Sequence, residues 1–195
     1  MSAPAVLRDV FRALRTELGE EDSGYTYEDG PGAISRLDVM VYAAPTPADA
    51  TIFATIGMSI EPMPIRDGRR SARAELRLHC RGLVSPADRE LISLQLANLA
   101  GYPWTNGRPL DWGEIVTLGT PVPAFPSCQR VFLAGPWMQG QPSAVETEVG
   151  PVRVINVVPI TEAERERALA SHPQAFFGDL LDSRDVLSPP PRSLH

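Results

Sequence analysis

Apolar residues recur with two different periods along this chain, and the order in which those periods follow one another constrains the fold most. Val6, Leu7, Val10, Phe11, Leu14 and Leu18 fall at helical spacing, with Arg8, Asp9, Arg12 and Arg15 on the opposite face, so residues 5–18 read as an amphipathic helix. Gly19 is its natural stop. Residues 20–33 are acidic and Gly-rich, with Tyr25 and Tyr27 as large anchors, and read as a loop that holds at most a short strand. The period then changes to two. Residues 34–42 alternate, with Leu37, Val39 and Val41 on one face, until Pro45 and Pro47 end the run. Residues 51–58 are almost wholly apolar, as in a central strand. Residues 71–79 alternate Ala72, Ala74, Leu76 and Leu78 with Arg73, Glu75, Arg77 and His79, which predicts one face in water.

The helical period returns at Ser85-Pro-Ala-Asp88. A capping Ser, a Pro for the first turn and an acid at the positive helix end make a strong start signal. Leu91, Ile92, Leu94, Leu96 and Leu99 predict a well-buried helix ending near Gly101. An aromatic-rich loop follows, with Tyr102, Trp104 and Trp112 among prolines and glycines. Residues 114–118, 130–134 and 152–159 read as strands, and Thr161-Glu-Ala-Glu164 is a capping box opening a charged helix. A last short helix takes in Phe176, Phe177, Leu180 and Leu181. Consecutive groups of strands separated by helices define an α+β fold: a single domain with a mixed, largely antiparallel sheet packed by helices. The domain is expected to span residues 1–187, and the Pro-rich residues 188–195 form a disordered tail.

Composition bounds the chemistry. A chain of 195 residues buries roughly 70% of its unfolded surface and needs neither disulfide nor metal to fold. The net charge is -6 and all 18 basic residues are Arg. That balance argues against nucleic acid and fits a basic protein partner, or simply solubility. Two cysteines make no disulfide framework. Charged residues in the N-terminal apolar pattern argue against a signal peptide, and no apolar run is long enough to span a membrane, so the expected compartment is the cytoplasm. The three histidines, His79, His172 and His195, form no ligand cluster with Cys80 and Cys128, so no metal or cofactor is expected. Adjacent His79 and Cys80 point to opposite faces of a strand, which leaves Cys128 with His79 as the conceivable dyad. Asp179, Asp182 and Asp185 at i, i+3 and i+6 read as a solvated acidic edge, although such a group can attract a divalent cation.

Several phrases, taken in order, resemble the Suppressor of Fused family. They are Asp38-Val-Met-Val-Tyr42 followed by Pro45, then Thr51-Ile-Phe-Ala-Thr-Ile-Gly-Met-Ser59, then Ala74-Glu-Leu-Arg-Leu-His79. Residues 152–160 running into Thr161-Glu-Ala-Glu164, and Leu180-Leu-Asp-Ser-Arg-Asp185 before Pro189 and Pro190, complete the set over about residues 30–190. The long second domain of the animal member is missing, and residues 101–113 have no close counterpart. The resemblance implies a protein-binding domain without catalysis. Bacterial members look like immunity proteins of polymorphic toxin systems, which makes a cognate toxin domain the expected partner. A regulatory binding module of another pathway is the alternative, and an enzyme using Cys128 or the acids is a third reading. The candidate contact residues are Tyr102, Trp104, Asp111, Trp112 and Glu114: aromatics are either core plugs or interface anchors, and the acids beside them would steer a basic surface.

Overall fold

A computed structural model describes residues 3–65 and 71–191. The expected helix is present as α1 (Ala5–Leu18), closed where the Gly19 N–H donates to Arg15 O at 3.0 Å. The acidic stretch after it contains a full strand, β1 (Ser23–Glu28), followed by β2 (Arg36–Tyr42), β3 (Ala50–Ile56) and β4 (Arg73–Arg81). The long helix α2 (Pro86–Asn106) leads to β5 (Ile115–Thr117), β6 (Arg130–Ala134), the two-residue β7 (Ala144–Val145) and β8 (Val152–Ile160). The chain then forms α3 (Glu162–Leu169) and α4 (Pro173–Ser183). The start signals act as read. The Ser85 hydroxyl accepts from the Asp88 N–H, and Thr161 and Glu164 make a reciprocal capping box. His172 caps α4, accepting from the Gln174 N–H at 3.4 Å.

One eight-stranded sheet runs β1-β2-β3-β4-β8-β6-β5, with β7 continuing the β6 side along the start of β8. Its pairings are antiparallel except β4 with β8, so the sheet is mixed and largely antiparallel. Side chains alternate across it. On one face Leu37, Val39, Val41, Phe53, Leu76, Leu78, Cys80, Ile155 and Val157 pack against Ile92, Leu96 and Leu99 of α2. On the other face α1 sets Val6, Val10 and Leu14 on Ala54, Ile56 and Val154. Beside α1, Phe176 and Leu180 of α4 cover Phe132, Val158 and Ile160. Burying apolar area on both faces contributes roughly 25 cal/mol per Å², and this is what holds the three layers together.

Two expectations are corrected by this layering. Residues 71–79 do not present one face to water: Glu75, Arg77 and His79 are only 5%, 2% and 4% exposed. β4 is central, and α1 covers the face its polar residues occupy. Glu75 and Arg77 are held by internal partners. The Glu75 carboxylate accepts from the Thr55 and Ser59 hydroxyls, both at 2.6 Å, and from the N–H groups of Gly57 and Ser59. Burial pushes its pKa up, and these bonds fasten the Gly57-Met-Ser59 turn to β4. Second, α2 does not stop at Gly101 and is not buried all round. Gly101 lies inside the helix, where Pro31 comes so close that a side chain's first carbon would stand 3.0 Å from the proline ring. Leu91 and Leu94, on the outer side, are 52% and 43% exposed. At the C-terminal end, Ser188 Oγ donates to Asp185 Oδ2 at 2.7 Å, and residues 192–195 of the expected tail lie outside the described residues.

Candidate protein-interaction site

The five candidate residues fall into two groups. Because α2 runs on to Asn106, Tyr102 and Trp104 sit in its last turns rather than in a loop. Both pack against the core under α2, and the Trp104 ring lies against Gly32 in the turn joining β1 to β2. They close the edge of the core.

Asp111, Trp112 and Glu114 form the second group, where the chain leaves α2 and enters the sheet. Gly107 caps α2 in the left-handed region (φ 61°) and turns the chain. Leu110 is buried at the site's base. The Gly113 N–H then donates to Leu133 O at 2.7 Å, and the Leu133 N–H donates to Glu114 O at 2.8 Å. The segment is thereby joined to β6 and continues as β5, the outermost strand on this side. Within the turn, the Asp111 N–H donates to Glu114 Oε2 at 3.0 Å and the Trp112 N–H to Asp111 Oδ1 at 2.7 Å. Arg108 reaches Glu114 Oε1 at 3.4 Å.

Trp112 is 40% exposed yet fixed in place. Its indole N–H donates to Val154 O at 3.1 Å, and its ring lies against Gly135. The Arg153 guanidinium stands 4.9 Å from the ring centre and also pairs with Asp111. Such a cation–π contact at an exposed site contributes about 0.5–1 kcal/mol, and an exposed ion pair less than about 1 kcal/mol. Together these contacts restrain the indole, which stays partly exposed. The sequence did not single out Arg153. The available signal was its position as the one charged residue inside the apolar run of β8.

The dyad considered from sequence is not assembled. Cys128 belongs to the core under α2, whereas His79 points to the opposite face of the sheet. Burial also pushes the Cys128 and Cys80 thiols up to about 11 and about 12, which keeps them protonated. Asp185 lies beyond α4 and pairs with Arg81 at 3.0 Å. Among the described residues no group of three or more His, Cys, Asp or Glu could hold a metal ion, and no helix is long and apolar enough to cross a membrane.

The described residues thus form a three-layer domain with a mixed sheet and one restrained, partly exposed indole. The sequence profile of the Suppressor of fused protein (SUFU) family matches residues 34–189, and the chain belongs to that family. Solved structures agree on the fold. A SUFU homolog from Neisseria gonorrhoeae is 19% identical with a TM-score of 0.69, covering 93% of this chain and 92% of its own. The protein in a crystal structure of the Sufu–Fu complex is 12% identical with a TM-score of 0.61, covering 93% of this chain and 84% of its own. Drosophila Suppressor of Fused is 13% identical with a TM-score of 0.61, and this chain spans 46% of its length. No curated protein matches the chain significantly.

Proposed function

We propose that the chain works by stoichiometric association with a protein partner through the Asp111–Trp112–Glu114 surface, and that the partner is a toxin domain which it neutralises as an immunity protein in the cytoplasm. The observation that carries the contact site is Trp112, an exposed indole restrained before any partner arrives. A large ring that is already ordered loses little freedom on binding, which is why Trp is enriched among residues dominating interface energies. Asp111 and Glu114 flank it, but Arg153 and Arg108 already answer their charges, so the ring rather than the acids carries the contact. A family relative crystallised in a complex with Fu supports association as the mode of action. The separation of Cys128 from His79 removes the sequence's best candidate for catalysis.

The test is co-expression with the product of the neighbouring gene, followed by affinity and melting measurements. Trp112→Ala should weaken binding by about 2 kcal/mol or more and lower the melting temperature by only a few degrees, for the lost indole hydrogen bond and cation–π contact. Trp104→Ala should instead cost stability, toward the lower end of the roughly 3–5 kcal/mol seen for buried aromatics. If folded Trp112→Ala and Asp111→Ala proteins bind as the parent does, this surface is not the contact. If the parent does not bind its neighbour's product, the immunity reading falls, and a regulatory module of another pathway takes its place.

A further inference from the structure

The sheet has a second free edge, at the end opposite β5. Among the described residues β1 pairs only with β2. The phase of that ladder can be read just beyond it, where the Asp29 N–H donates to Ser35 O at 3.1 Å. Antiparallel pairs alternate between hydrogen-bonded and non-bonded, so Tyr27 with Leu37 and Tyr25 with Val39 are the bonded pairs. The N–H and C=O groups of Gly24, Thr26 and Glu28 therefore point away from the sheet, and these three residues are exposed. An open strand edge of this kind is a template for another strand, and proteins usually blunt it with Pro, Lys or a bulge. β1, Ser-Gly-Tyr-Thr-Tyr-Glu, contains no Pro or basic residue and pairs with β2 in unbroken register.

Charge indicates what fits there. Glu20, Glu21 and Asp22 precede the strand and Glu28 and Asp29 close it. Arg15 answers Glu20 and Glu21, and Arg89 answers Asp22. Glu28 stands across the ladder from Arg36 and acts on its charge, whereas Asp29 and Glu90 of α2 have no ion pair among the described residues. Tyr27 senses this field: burial and then Glu90 push its phenol up to about 12. An apolar contact lies alongside. Glu90, Leu94, Ala97 and Gly101 share one side of α2, Gly101 touches Pro31, and Glu90 acts on Tyr27, so the exposed Leu94 flanks β1 on its tyrosine face. A second copy of the chain fits poorly. Antiparallel pairing of two β1 strands about Thr26 brings together two strands that contain no basic residue, so neither supplies a partner for the acids at the other's ends.

We propose that the β1 edge takes up an extended basic segment of a partner protein as an added strand, with alternate side chains lying over Tyr25, Tyr27 and Leu94. Backbone hydrogen bonds to Gly24, Thr26 and Glu28 hold the segment, and the acids select it. This site lies at the opposite edge from Trp112 and does not depend on the function proposed above.

The probe is a blocked peptide of about eight residues alternating arginine with valine and threonine, titrated into the isotopically labelled protein. The expected result is amide shifts confined to β1 and the adjoining side of α2, with slowed exchange at Gly24, Thr26 and Glu28. Thr26→Pro removes an outward N–H that the sheet does not use, a position where edge strands tolerate proline. It also gives up the Thr26 hydroxyl's bond to Asp38 Oδ1 at 2.6 Å, so the melting temperature should fall by a few degrees at most, while affinity falls about tenfold or more. Glu28→Arg, which leaves the backbone untouched, should weaken binding similarly and serves if the proline variant fails to fold. A peptide with a central proline, or with glutamate for arginine, should not bind. The proposal is overturned by absence of binding at millimolar peptide, by shifts elsewhere, or by equal binding of the proline peptide, which would mean charge attraction alone. Concentration-dependent dimers that protect the same amides without peptide would also overturn it, assigning the edge to a second copy.

Discussion

Glu17→Ala is expected to destabilise the protein by about 3–5 kcal/mol, although Glu17 sits near the outer end of a surface helix. The reason lies in its partner. Arg77 projects from the central strand β4, and its side chain is 3% exposed. Its Nη1 and Nη2 donate to Glu17 Oε1 and Oε2 at 2.7 and 2.8 Å, a two-pronged pairing that spans α1 and the sheet. Removing the carboxylate leaves a desolvated guanidinium uncompensated under α1, and that penalty sets the size of the effect. The complementary expectation separates this from ordinary loss of packing. Adding Arg77→Met to Glu17→Ala should recover most of the lost stability, because a hydrophobic side chain of similar volume needs no counter-charge there. Denaturant titrations of the parent, the single variant and the double variant measure both. A loss below about 1 kcal/mol for Glu17→Ala, the range of an exposed pair, would contradict the account.

The second large effect is a loss of stability toward mildly acidic pH that disappears when His79 is replaced. The ring is buried on β4, edge-on to Trp137 with centroids 5.7 Å apart. Asn156 is near enough to favour the charged ring slightly. However, its amide donates to Gly135 O at 3.1 Å and its oxygen accepts from Gln141 at 2.9 Å. We therefore count both ring nitrogens as unpaired, in agreement with the hydrogen-bond geometry. Burial, and then the Arg77 charge, push the ring from 6.5 down to about 4. The folded state thus holds His79 neutral while the unfolded chain protonates it from about pH 6.5 downward. Its contribution is fully present above 6.5 and is lost as pH falls to about 4, a change of about 3 kcal/mol. Glu75 works in the other sense: burial raises it, so its contribution is lost as pH rises through its folded value. Burial also pushes up Glu164 and Asp185, but their bonds to Arg184 and Arg81 outweigh it and hold both low, so they lose stability only below the ordinary carboxylate range. His79→Phe isolates the ring. The stability difference between parent and variant should vary by about 3 kcal/mol between pH 7.5 and pH 4. A constant difference across that window would show that the buried ring accepts its proton as readily as in the unfolded chain.

The elements easiest to read from the sequence are those whose signals are local. The boundaries of α1 follow from apolar spacing and Gly19, and β6 and the capping box of α3 are where strand and cap chemistry put them. The misread segments depend on contacts distant in sequence. The polar alternation of β4 looks like a wetted face until α1, some sixty residues earlier, supplies Glu17 for Arg77. Gly101 and Pro103 look like a helix terminus, but Gly101 is the close-packing point for Pro31, and Pro103 stays helical one turn before the Gly107 cap. The candidate site is legible to the same degree. Asp111, Trp112 and Glu114 are neighbours in sequence, whereas Arg153, which restrains the indole, arrives from β8.

The lone parallel pairing, β4 with β8, sets a timetable for the growing chain. Strands β1 to β4 can zip into a meander as soon as they leave the ribosome, since each pairs with the one before it. The other flank of β4 finds no partner until residue 152 is made. At roughly 5–20 residues per second, that interval lasts about 4–14 seconds. Through it the nascent chain displays the unpaired N–H and C=O groups along one flank of its future central strand, and this is when a holding chaperone would matter most to its yield.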